Sequence, residues 1–289
     1  MQHDSLETFL ADGAGALAKG PIALVFAEDE VEVASTLRHV KAAGFKATIL
    51  FAAPGLQVDR AALDGVARVN LDVLAEDAVP RTVTRVIAAT PPGQWLFYCY
   101  NAEYLFFPFC EHRTVGEATT FMVEERRDSM LTYVVDLYAP DLDRFPDAVS
   151  LEEAHLDKTG YYALARKDPA TGHPKERQLD FFGGLRWRFE EHVPPARRKI
   201  DRISLFRAKP GLELRPDHTL SDEEMNTYAC PWHNNMTAAI CSFRTAKALK
   251  RNPGSTYDIP TFAWHNSVRF DWHSQQLLDL GLMEPGQWF

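Results

Sequence analysis

The sequence lacks the short motifs that mark several large enzyme classes. No GxGxxG or GxxxxGK[ST] follows a predicted strand, which argues against dinucleotide-binding proteins and P-loop enzymes. GxSxG and HExxH are also missing, which argues against the α/β-hydrolases and the zincins. The four cysteines show no CxxC spacing, so a zinc site built from cysteine is not expected. What remains is a set of acidic residues and histidines near the predicted ends of strands.

Basic residues and long apolar runs are also scarce. The 31 basic residues against 40 acidic ones leave a formal net charge of −9, which argues against nonspecific nucleic-acid binding. No run is long and apolar enough to span a membrane, and the N-terminus, with Asp4 and Glu7, does not resemble a secretion signal. Two of the cysteines lie in apolar runs, as buried free thiols do in a reducing compartment. We therefore expect a cytoplasmic protein.

Apolar runs alternate with helical patterns over the first hundred residues. Strands are predicted at 22–26, 46–51, 66–71 and 95–100, and helices at 33–44 and 78–90. This alternation predicts a doubly wound α/β protein with a mainly parallel sheet flanked by helices. Later predictions are strands at 130–138 and 200–206, a helix that begins at Asn234, and a last helix over 274–280. No linker is evident, so we expect one domain over 1–289 with an irregular C-terminal half.

The run Trp95–Tyr100 is the most distinctive stretch of the sequence. Its unbroken apolar and aromatic character predicts a strand buried on both faces. Asn101-Ala102-Glu103 follows it, at the position where open α/β sheets bind their ligands. An unpaired buried carboxylate is costly, so Glu103 needs a partner. Our hypothesis is that Glu103 ends this strand and faces a metal ion or a substrate.

Several stretches of the chain together resemble the family-two-like glycosyltransferases, which have a GT-A fold. The first strand ends in an acidic cluster, the next helix closes on Ala43-Gly44-Phe45, and the strand before Asn101-Ala102-Glu103 is similar to the family's strand that ends in Asp-x-Asp. Further landmarks follow in the family's order: Gly183-Gly184-Leu185-Arg186, Lys199, His218-Thr219-Leu220 and Trp232-His233. The resemblance implies a GT-A-like architecture with a nucleotide-binding half over 1–140 and an acceptor-side half over 141–289.

The same resemblance implies transfer of a sugar from a nucleotide-sugar donor to an unknown glycan, lipid or protein acceptor. Mn²⁺ or Mg²⁺ would neutralise the diphosphate leaving group, and the implied metal ligands are Asn101, Glu103 and His233. Glu103, Asp217 and His218 are the candidate catalytic residues. The candidates for donor or acceptor binding are Glu28, Asp29, Gly183, Gly184, Arg186 and Lys199. A membrane-bound glycan precursor as the acceptor would place the enzyme at the inner membrane face.

The departures from the family's pattern keep an alternative open. The first acid of the motif is replaced by Asn101, whose neutral amide is a weaker metal ligand than a carboxylate. If the register is one residue earlier, Tyr100 and Ala102 replace both acids. The alternative is a nucleotide-sugar or carbohydrate binding protein without catalysis, and a metal hydrolase is a third reading. Glu103 has a structural reading as well, as a carboxylate bound to an arginine or to backbone N–H groups.

Overall fold

The structure is a computed structural model that describes residues 1–231 and 233–288. It has an α/β architecture with a large, mostly parallel mixed sheet flanked by helices, which confirms the predicted class. Trp232, part of one landmark of the resemblance, lies outside the described residues. Within them, no helix combines the length and the apolar character that crossing a membrane requires.

The strands are numbered in chain order. They are β1 (Gln2–His3), β2 (Ile22–Ala27), β3 (Ala47–Ala52), β4 (Val66–Asn70), β5 (Trp95–Tyr100), β6 (Glu103–Phe106), β7 (Ser129–Asp136), β8 (His155–Asp157), β9 (Tyr162–Lys167), β10 (Pro174–Phe182), β11 (Asp201–Arg207), β12 (Ala238–Ser242) and β13 (Ser267–Arg269). The α-helices are α1 (Leu6–Asp12), α2 (Val33–Ala42), α3 (Ala78–Ala89), α4 (Val115–Glu124), α5 (Gly184–Arg188), α6 (Arg244–Arg251), α7 (Pro253–Thr256) and α8 (Ser274–Asp279).

The chain falls into two compact units, each assembled from three segments. The first unit comprises Met1–Leu105, His112–Leu131 and Ile203–Asn226. The second unit comprises Phe106–Glu111, Thr132–Arg202 and Thr227–Phe289. The division of the sequence into halves at 140 stays a prediction.

The first unit contains a doubly wound parallel sheet. Its strands lie in the order β1-β4-β3-β2-β5, all parallel, and β11 pairs with β5 in the antiparallel direction. Every residue of β2 and of β5 is buried, as expected for strands covered on both faces. From β2 the chain winds through β3 and β4 on one side, and then returns to place β5 on the other side. The strand order therefore reverses between β2 and β5.

Two local predictions are wrong. Glu103 does not end the central strand; it begins β6, after a turn in which Ala102 has a left-handed φ of 59°. The helix predicted to begin at Asn234 is instead strand β12 followed by α6. In the second unit, β12 pairs in parallel with β7, and all five of its residues are buried. Such a run can be buried as a strand or as a helix, and here its pairing with a neighbouring strand decided the outcome.

Candidate functional site

The candidate site of the first unit lies where the strand order reverses. Phe26 of β2 is in register with Tyr100 of β5, so the two strands end side by side and point the same way. The loops that follow them begin at Glu28 and Asn101. Open α/β sheets bind their ligands in the crevice outside the carboxyl ends of strands, at such a reversal. The topology thus brings together the acidic cluster after the first strand and the altered Asp-x-Asp motif.

Asn101 ties these two loops together. Its side chain is completely buried. Its Oδ1 accepts a hydrogen bond from the backbone N–H of Glu28 at 2.9 Å. Its Nδ2 donates to Oδ1 of Asp29 at 2.6 Å and to the carbonyl of Val31 at 2.8 Å. The amide thus fixes the loop after β2 against the end of β5.

Glu103 closes the turn that separates β5 from β6. It is 1% exposed, and its Oε2 accepts the backbone N–H of Tyr100 at 2.8 Å. Between them, the N–H of Ala102 donates to Oγ1 of Thr36 at 2.9 Å. These contacts are those of a carboxylate that binds backbone N–H, which was the structural reading of Glu103. Its catalytic role stays a prediction.

Two of the residues implied as metal ligands have hydrogen-bonding roles within the protein. Both ends of the Asn101 amide are hydrogen-bonded within the protein. His233 belongs to the second unit, where its carbonyl accepts the N–H of Cys230 at 3.0 Å. Over residues 1–231 and 233–288, no three or more His, Cys, Asp or Glu side chains are grouped so that they could hold an ion. The requirement for Mn²⁺ or Mg²⁺ stays a prediction.

The loop after β2, which would form the rim of such a crevice, carries carboxylates. Glu28 and Asp29 are half-buried, and Glu30 is exposed. Oδ1 of Asp29 accepts the N–H of Val31 at 2.9 Å in addition to the Asn101 amide. Oε1 of Glu30 accepts the N–H of Gln57 at 2.9 Å, which connects the loops after β2 and β3. Acidic side chains at such a rim are suited to accept hydrogen bonds from ribose hydroxyls.

The predicted pair Asp217 and His218 lies beside strand β5. Nδ1 of His218 is hydrogen-bonded to the hydroxyl of the buried Tyr98 at 2.9 Å, and the two rings are stacked with their centroids 5.9 Å apart. Asp217 accepts hydrogen bonds from the N–H of Thr219 at 3.1 Å and from its hydroxyl at 2.7 Å. The sequence contains no signal for the Tyr98–His218 contact, because the two residues are 120 positions apart.

The remaining predicted residues lie in the second unit and come together there. Nη1 of Arg186 donates to the carbonyl of Lys199 at 2.7 Å. Nε of the same arginine donates to Oγ1 of Thr245 at 3.1 Å and lies 3.7 Å from Oδ1 of Asp136. Gly184, the first residue of α5, has a left-handed φ of 62°. Asp136, which sequence reasoning missed, is the last residue of β7, the strand that was predicted at 130–138.

A second missed residue, Asp157, is the centre of a buried network. Its Oδ1 accepts the Tyr138 hydroxyl at 2.6 Å and the indole N–H of Trp264 at 2.7 Å. Nη1 of Arg188 lies 3.2 Å from the same oxygen and 3.3 Å from Oδ2. The guanidinium also lies over the Trp264 ring, 4.4 Å from its centroid. Every partner is distant in sequence, so no local pattern points to this carboxylate.

No family model matches the chain, and no curated protein matches it. The function is therefore inferred from the placement of the residues described above.

Proposed function

We propose that this protein is a glycosyltransferase of GT-A-like architecture that moves a sugar from a nucleotide-sugar donor to an acceptor hydroxyl. The observation that carries the proposal is the reversal of strand order between β2 and β5. At the carboxyl ends of these strands, two half-buried carboxylates, Glu28 and Asp29, lie on a loop that Asn101 holds in place. This is the location at which open α/β sheets bind nucleotides.

In this proposal the nucleotide binds at the crevice and its ribose hydroxyls donate to the rim carboxylates. The acceptor oxygen then bonds to the anomeric carbon as the bond from that carbon to the diphosphate breaks. The acceptor proton passes to a basic side chain of the protein, and the diphosphate leaves with the electron pair. The proposed candidates for the base are Glu103, Asp217 and His218. Nδ1 of His218 is hydrogen-bonded to the Tyr98 hydroxyl.

The alternative function is nucleotide-sugar or carbohydrate binding without catalysis. It is supported by the structural hydrogen bonds that the residues of the altered motif make in the first unit. Asn101 makes three hydrogen bonds that organise a loop, and Glu103 binds the backbone of its own turn. These structural roles are consistent with a binding protein whose motif has lost its catalytic acids.

Titration calorimetry with UDP-sugars and GDP-sugars, with and without Mn²⁺, tests the proposal. We expect wild-type protein to bind one of these donors, and Glu28→Ala to weaken binding about tenfold or more, because a hydrogen bond to a charged group contributes about 1.5–3 kcal/mol. The matched control is Glu124→Ala, which removes an exposed glutamate at the end of α4. Wild-type protein that binds neither donor, with or without Mn²⁺, would contradict the proposal. Binding without release of UDP or GDP would favour the alternative function.

The predicted metal dependence has its own test in the substitution Asn101→Asp. A carboxylate at this position cannot donate to the Val31 carbonyl, and it faces Oδ1 of Asp29, which is 2.6 Å from the Asn101 amide. We therefore expect a lower Tm than wild type, and we expect Mn²⁺ to raise the Tm of this variant. Asn101→Leu is the control, because it loses the same amide hydrogen-bond donor without adding a charge. A Tm of Asn101→Asp that Mn²⁺ does not change would show that no metal binds beside position 101.

A further inference from the structure

Oδ1 of Asp136 and the hydroxyl oxygen of Tyr161 are among the buried side-chain atoms of the second unit for which the described residues show no hydrogen-bond partner. Asp136 is 1% exposed. The backbone N–H of Arg186 donates to its Oδ2 at 3.4 Å, and Nε of Arg186 lies 3.7 Å from its Oδ1, too long for a hydrogen bond. Leaving such a group unsatisfied costs about 1–3 kcal/mol. Such an atom needs a partner, which can be an ordered water or a bound ligand.

The two side chains contact adjacent glycines. A Cβ atom built on Gly183 would lie 2.2 Å from Cδ1 of Tyr161, and one built on Gly184 would lie 2.9 Å from Oδ2 of Asp136. Any side chain at these two positions would therefore collide with the Tyr161 ring or with the carboxylate. Because the two glycines lack a Cβ, the ring and the carboxylate can come near the same stretch of backbone.

The electrostatic surroundings keep the Tyr161 hydroxyl protonated. Burial raises its pKa well above the ordinary value, and the negative charges of Asp157 and Asp136 add to that rise. Burial also raises the pKa of Asp136, although the charge of Arg186 opposes the rise. The phenol is thus available as a donor, and the carboxyl group beside it is available as a hydrogen-bonding partner.

Aromatic rings lie at the surface beside this buried pair. The Trp187 ring packs on Gly160, with Cζ3 3.1 Å from a Cβ built there, and Trp187 is 40% exposed. Tyr162 is 44% exposed and stacks on Phe182, with ring centroids 5.2 Å apart and an interplanar angle of 17°. Tyr161, between residues 160 and 162, is itself half-buried with its hydroxyl inward. Around the segment 160–162, the aromatic rings of Trp187 and Tyr162 are therefore exposed, whereas the Tyr161 hydroxyl is buried.

The charges of this region restrict the kind of ligand. An anion would be repelled by Asp136 and Asp157, which are both buried. A cation would be repelled by Arg186, 3.7 Å from Asp136, and by Arg188, 3.2 Å from Asp157. A neutral molecule with hydroxyl groups remains. A sugar ring has such hydroxyls at its edge and an apolar face of C–H groups, which suits a half-exposed aromatic ring.

We propose that Asp136 and Tyr161 bind hydroxyl groups of a carbohydrate whose apolar face packs against Trp187. The proposal rests on the proposed transferase function, for which it names the substrate class: the acceptor is a sugar. The buried carboxylate accepts from one hydroxyl, and the phenol donates to a neighbouring one. Because Gly183 and Gly184 lack a Cβ, both groups can lie against this stretch of backbone.

The test uses the methyl glycosides of glucose, galactose, mannose and N-acetylglucosamine as probes, with no nucleotide present. Binding is followed by saturation-transfer NMR and by the quenching of tryptophan fluorescence. We expect at least one glycoside to bind, and Tyr161→Phe to weaken it about tenfold, the loss expected for one hydrogen bond. Tyr162→Phe is the matched control, because it removes the hydroxyl of the adjacent, exposed tyrosine, and we expect a change within about twofold. Both variants keep their rings, so the packing on Gly183 and Phe182 is retained.

Two results would overturn the inference. One is equal binding by Tyr161→Phe and Tyr162→Phe. The other is wild-type protein that binds none of the four glycosides, with Tyr161→Phe altering only the Tm, as expected if the pair holds a buried water. These results are separable from the donor titration. Donor binding without glycoside binding overturns this inference alone, whereas glycoside binding without donor binding overturns the transferase and leaves a carbohydrate-binding protein.

Discussion

Asn101→Ala is expected to lower the free energy of unfolding by about 3–4 kcal/mol, since three buried hydrogen bonds contribute about 1 kcal/mol each and their partners lose a bond. The side chain is completely buried and bonds to Glu28, Asp29 and Val31. Equilibrium unfolding in urea, monitored by circular dichroism, measures the change. The m-value should stay at the wild-type level if the folded core keeps its extent.

The control for this prediction is Asn252→Ala. Asn252 caps α7 near the surface, where its Oδ1 accepts a hydrogen bond from the N–H of Gly254 at 3.1 Å. Loss of a cap of this kind costs about 1 kcal/mol. If the two variants are destabilised equally, the Asn101 side chain does not hold the loop after β2 as described. A large loss of unfolding free energy in Asn101→Ala alone would mean that the main role of Asn101 is to hold the loop after β2.

Asp157→Ala is expected to lower the free energy of unfolding by about 3–5 kcal/mol, because it leaves a buried charge without its partner. The side chain of Arg188 is 10% exposed and that of Asp157 is 2% exposed. The substitution also removes the acceptor of the Tyr138 hydroxyl and of the Trp264 indole N–H. Arg188 keeps its bond to the carbonyl of Phe262 at 2.8 Å, which offsets only part of the loss. Thermal and urea unfolding of the purified variant measure the change.

A graded series makes this prediction specific. Asp157→Asn retains an oxygen acceptor but not the charge, so its stability should fall between wild type and Asp157→Ala. Asp258→Ala, which removes a carboxylate whose side chain is 67% exposed, should change stability by no more than about 0.5 kcal/mol. An Asp157→Ala variant as stable as Asp258→Ala would show that the network around Arg188 contributes nothing to the second unit.

The regular part of the first unit was predictable from the sequence. The apolar runs at 22–26, 46–51 and 95–100 correspond to β2, β3 and β5, and the helical pattern at 78–90 corresponds to α3. These segments have one dominant periodicity, and a strand buried on both faces has few alternatives of that length. The predicted C-terminal helix, now α8, begins at the predicted Ser274.

The candidate site was only partly predictable. The acidic cluster and Asn101 were recognised as residues at strand ends, but their direct contact, across 72 positions of sequence, was not. Asp136, Tyr161 and Asp157 were missed, because each resembles an ordinary member of its own segment. Gly183 and Gly184 did carry a signal, since paired glycines indicate a close backbone approach, and the structure shows Tyr161 and Asp136 against them.

What the sequence determined by itself is the α/β class, the positions of the central strands and the acidic character of the loops that follow them. These features depend on local periodicity and on residue type, which a single sequence carries in full. The tertiary structure alone decided that Asn101 binds the loop after β2, that Glu103 begins a strand, and that β12 is not a helix. Each of these outcomes depends on which distant group occupies a hydrogen-bonding position, and that is settled only when the strands pair and the backbone groups between them must be satisfied.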